Sequence, residues 1–134
     1  MAKQSFFIDI PLYNARVNIC LTTKAFLKIA DLSEEDTAAL PDDTYVDGWA
    51  LKSTKGNVYN VALIRLSHGV IAHELLHTTF DILRNAGVKY SEKSEEAFSY
   101  LHGYLVDEAY RGLDKLDKLK DRRNDRQPED STPA

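Results

Sequence analysis

The sequence predicts an α+β domain in which a small, mainly antiparallel sheet packs on two long helices. Three observations predict it. Four segments in the first half alternate apolar and polar residues, the period of half-buried strands. In the second half the apolar residues recur at helical spacing instead. Between the halves, Ser67 to Gly69 turns the chain into a long apolar segment that contains His73-Glu74-Leu75-Leu76-His77.

The elements follow in order. Ser5 to Ile10 places Phe6, Ile8 and Ile10 on one face, and Pro11 ends the strand. Leu12 to Asn14 is a turn. Ala15 to Leu21 alternates again, with Val17, Ile19 and Leu21 opposite Arg16, Asn18 and Cys20, so the first two strands form an antiparallel pair. Thr22 or Thr23 caps a short helix over Lys24 to Leu32, with Phe26, Leu27, Ile29 and Ala30 on its apolar face. Ser33 to Asp43 is acidic, contains Pro41 and reads as a loop with one helical turn. Thr44 to Lys52 and Asn57 to Arg65 make a hairpin around Ser53-Thr54-Lys55-Gly56, with Gly56 free to take positive φ. The second of these strands is apolar enough to lie inside a sheet, and Trp49 packs on that sheet.

The motif helix spans about Val70 to Asn85, with Gly87 as a left-handed cap after it. Val88 to Ser94 links it to a second helix, which Ser91 or Ser94 caps and which runs from Glu95 through Ala109 and on towards Arg123. Ala97, Phe98, Leu101, Leu105 and Val106 are its core stripe. We divide the chain into residues 1–112, the packed domain, and 113–134, a charged helix extension with a disordered tail.

Composition bounds the function. The chain has 134 residues, 43% of them apolar and 28% charged, which suits one globular domain. A net charge of −4, no basic stripe and no Gly-rich phosphate loop exclude nucleic-acid binding by composition. No apolar run reaches the roughly 18 residues of a membrane span, and the start of the chain lacks the unbroken apolar core of a secretory signal. A cytoplasmic or virion-associated protein is expected. Cys20 is the single cysteine and reads as a small buried hydrophobe.

The chemistry lies in the H-E-x-x-H. On a helix, His73 and His77 project from one face and can share a tetrahedral zinc ion, while Glu74 is placed to take a proton from an attacking water. A zinc hydrolase needs a third protein ligand, and the first candidates downstream are Glu92, Glu95, Glu96 and His102. Eighteen residues separate His77 from Glu96, enough for the helix to finish, reverse and return. Tyr90, Tyr100 and Tyr104 are candidate oxyanion donors, with Tyr100 favoured. His68 reads as a loop residue and His102 as surface.

The helix pair, with Ala72-His73-Glu74-Leu75-Leu76-His77 followed by Glu96-Ala97-Phe98-Ser99-Tyr100-Leu101-His102, resembles the gluzincin branch of the zincin metallopeptidases. Together with the Phe-x-Ile-Asp-Ile-Pro-Leu-Tyr opening, it resembles small, phage-encoded, single-domain zincin-like proteins. The resemblance implies a minimal zincin-like fold holding one Zn2+ on His73, His77 and Glu96. It also implies Glu74 as general base and a peptide or protein substrate. Where some gluzincins carry an Asp one turn after the ligand Glu to brace a histidine, this chain has Tyr100. The brace would then be Tyr100, Asp81 or a backbone carbonyl. The rival expectation is a non-catalytic zinc-binding phage protein that serves as a virion component or binds a host factor.

Overall fold

A computed structural model describes residues 3–42 and 44–116. Four strands, β1 (Ser5–Ile10), β2 (Ala15–Cys20), β3 (Gly48–Lys52) and β4 (Val58–Leu63), form one sheet in the order β1-β2-β4-β3. Four α-helices accompany it: α1 (Thr23–Ile29), α2 (Glu34–Ala38), α3 (His68–Asn85) and α4 (Glu95–Lys115). The α+β class is as expected.

Alternation decides the two faces of the sheet. Val17, Ile19, Tyr59, Val61 and Leu63 point to one side, where they meet Ile71, Leu75, Ile82 and Leu83 of α3 and Phe98, Leu101 and Leu105 of α4. Cys20, Trp49 and Ala62 point to the other side, where they meet Phe26 of α1. The Phe26 and Trp49 rings pack edge to face with centroids 5.4 Å apart. The sheet is therefore covered by α3 and α4 on one face and by α1 over part of the other.

Both hairpin pairings are antiparallel, β1 with β2 and β3 with β4, whereas β2 and β4 pair in parallel. The sheet is thus mixed at its centre. After β2 the chain crosses through α1 and α2, so that β4 can enter alongside β2 in the same direction while β3 is left at the edge.

Boundaries moved where capping decided them. Thr22 accepts from the Ala25 amide and starts α1, which ends at Ile29 rather than Leu32. Only Phe26 of its expected apolar face is buried; Leu27 is 50% and Ile29 39% exposed. Ser33 caps α2 over the acidic segment. Ser67 accepts from the Val70 amide and starts α3 two residues earlier than expected. Gly56 and Gly87 take positive φ, at 69° and 84°. At the start of α4, Ser94 makes no side-chain cap; its hydroxyl donates to the Lys89 carbonyl and accepts from the Ser91 amide, bracing the linker instead.

The α4 stripe extends further than expected. Ala109 and Leu113 are fully buried and Leu116 packs against the core, so the packed part of the chain continues past residue 112. Of the expected extension and tail over 113–134, residues 117–134 lie outside the described residues. Among the described residues, no helix is long and apolar enough to cross a membrane.

Candidate metal centre

The site is built on α3, which lies over β3 and β4 with its apolar face on the sheet. Glu74, Leu75, Thr78 and Thr79 are turned inwards, and His73, Leu76 and His77 outwards. The hydroxyls of Thr78 and Thr79 donate to the carbonyls four residues back, at 3.0 and 2.8 Å, so these buried polar groups are satisfied within the helix.

The two histidines face each other. Their Nε2 atoms are 3.2 Å apart and the ring centroids 4.8 Å. Two nitrogens bound at ~2.0–2.1 Å by a tetrahedral zinc stand about 3.3 Å apart. The pair therefore fits two corners of a zinc tetrahedron. Glu74 sits beside it, with Oε2 3.9 Å from His73 Nε2. Burial pushes the Glu74 carboxyl above its usual range, and positive charge on His73 and His77 opposes that rise. A carboxyl with raised basicity beside two imidazoles is a better proton acceptor than an exposed one.

Sequence reasoning missed the residue that makes room for it. A Cβ on Gly48, at the start of edge strand β3, would stand 3.0 Å from Glu74 Cγ and 2.6 Å from the Ala62 carbonyl oxygen. The backbone carbonyl of Ala62 excludes any side chain at this position, and the glycine leaves Glu74 its room beside the strand. A glycine opening a predicted strand is the signal that could have pointed to it.

The other expected residues are not drawn to the pair. Helices α3 and α4 run antiparallel, as the contacts His68–Tyr110, Ala72–His102 and Phe80–Phe98 show. By the Phe80–Phe98 contact nearest to it, Glu96 lies level with a point about five residues, or ~7 Å, beyond His77. Side chains tilt towards their own helix N-terminus, so Glu96 and His77 diverge. Glu96 and its neighbours Glu92 and Glu95 are exposed. Among the described residues, no group of three or more His, Cys, Asp or Glu side chains is assembled that could hold a metal ion.

Tyr100 is 75% exposed, and Tyr104, on the same stripe of α4, donates to the Asp9 carbonyl on β1 at 2.9 Å. That bond commits Tyr104 to the side of α4 away from α3. Tyr90 packs with Phe80 and Phe98. Asp81, a candidate brace, accepts from Arg84 at 2.9 Å.

Two histidines depart from expectation. His68 is the first residue of α3 rather than a loop residue, and its Nδ1 hydrogen-bonds the Tyr110 hydroxyl with the rings stacked. His102 is half-buried rather than on the surface: its Nε2 donates to the Ala72 carbonyl at 3.1 Å, tying α4 to the turn of α3 that precedes His73. Both side chains join the helices.

Fold and site together define an α+β protein that carries an H-E-x-x-H helix beside the edge strand β3. No family model, curated protein or solved structure matches the chain.

Proposed function

We propose that the protein is a zinc-dependent hydrolase of peptide bonds. The observation that carries this reading is the 3.2 Å approach of His73 and His77 Nε2 with the Glu74 carboxylate beside them. Zinc, when bound, would polarise the substrate carbonyl and acidify water. Glu74 would take the proton of the attacking water and pass it to the leaving amine. Strand β3 has β4 on one side only and lies next to Glu74, so an extended peptide could align along its free edge. Glu96, or Glu95 beside it, is the third ligand that the resemblance implies, and neither joins the pair in the structure.

The test combines metal content with cleavage. Glu74→Gln should retain zinc by elemental analysis and lose cleavage of host-lysate proteins by at least about a hundredfold. The reading is wrong if the purified protein takes up no zinc, or if His73→Ala cleaves as well as the parent.

A second reading is favoured by one observation: no third ligand is assembled on the pair. The protein would then bind zinc without turnover and act as a virion component or host-factor binder. Zinc uptake with no cleavage, unchanged by Glu74→Gln, would select it.

A further inference from the structure

The histidine pair offers a metal ion two nitrogens, whereas closed zinc sites take four ligands. Both rings are turned outwards, His73 with its side chain 66% exposed, and neither Glu96 nor His102 is placed to reach them. A second copy of the chain has the missing ligands in the right arrangement. Two nitrogens 3.2 Å apart fill one edge of a tetrahedron, and a twofold axis through the metal generates the opposite edge from an identical pair.

We propose that His73 and His77 of two copies close a four-nitrogen zinc site, joining two α3 helices across a twofold axis. Charge supports it. Each copy brings one Glu74 carboxylate, with Oε2 3.9 Å from its own His73 Nε2, so negative charge lies behind each histidine pair. Nothing else on this face of the helix needs to fit closely. Four imidazoles hold the helix axes apart, so the metal carries the contact rather than buried area, and Leu76, 44% exposed between the histidines, sits at the rim. A four-nitrogen site leaves no position for a water, which makes the dimer a resting form of the site. This inference rests on the reading of His73 and His77 as a zinc pair, and does not require hydrolysis.

The experiment titrates the metal-free, full-length protein with zinc and follows molar mass by light scattering together with bound zinc. The mass should rise about twofold, with an end point near half an equivalent of zinc per chain, and fall back on adding a chelator. His77→Ala should stay monomeric at the same zinc concentration, and Glu96→Gln should dimerise like the parent. One equivalent of zinc on a monomer would overturn this inference and leave the proposed function standing. A dimer that ignores zinc, survives His77→Ala or is lost in Glu96→Gln would also overturn it. No zinc uptake at all would overturn both.

Discussion

At the scale of single residues, burial decides reactivity. Glu74 is held in the wall between α3 and β3, where desolvation raises its basicity. Cys20 shows the opposite outcome. It is fully buried against Phe26, Trp49 and Ala62, with no positive group beside it, and burial pushes its thiol up to about 11. The thiolate that attacks disulfide reagents is therefore nearly absent at pH 8. Native protein should leave Cys20 unlabelled at that pH, and denaturant should release its full reactivity; rapid labelling of the native form would contradict the packing. That Cys20 is a small buried hydrophobe was legible in its place on an alternating strand. That Glu74 is buried beside β3 was not, because only its helix neighbours are local to it.

At the scale of elements, capping decides where each helix starts. The hydroxyl of Ser67 accepts from the Val70 amide at 3.1 Å and so draws His68 and Gly69 into the first turn of α3. Ser67→Ala should cost about 1 kcal/mol, read as a fall in denaturation midpoint with an unchanged slope. A change below about 0.3 kcal/mol would mean that the cap is replaceable by water. The position of α3 was legible to within two residues, and the glycine at 69 accounts for the error, since it reads as a turn residue. The apolar face of α1 was misread for a related reason. Periodicity shows which residues could share a face, but a seven-residue helix brings only Phe26 to the sheet.

At the scale of the whole molecule, one core organises the helix pair. Leu105 is fully buried on α4 within the cluster shared by α3 and the sheet. Leu105→Ala should destabilise by about 2–5 kcal/mol, since it leaves a cavity that three elements would have to collapse to fill. Chemical denaturation checks it; a loss under about 1 kcal/mol would place Leu105 outside the core. Zinc should act at the same scale. If the pair binds it, zinc should raise the melting temperature of the parent and not of His73→Ala, because a ligand that binds only the folded chain stabilises it by mass action.

The sequence by itself determined the α+β class, the antiparallel hairpins, both long helices and the placing of His73, Glu74 and His77 on one stretch of α3. All of these follow from spacings of two, three or four residues. Tertiary structure alone decided that β2 and β4 pair in parallel, that Gly48 closes on Glu74, that His102 ties α4 to Ala72, and that Glu96 lies beyond His77. Each of these depends on how one element is placed along another. The period of a strand or helix says which face is buried, but the sliding of two packed helices is set by how all their side chains interlock.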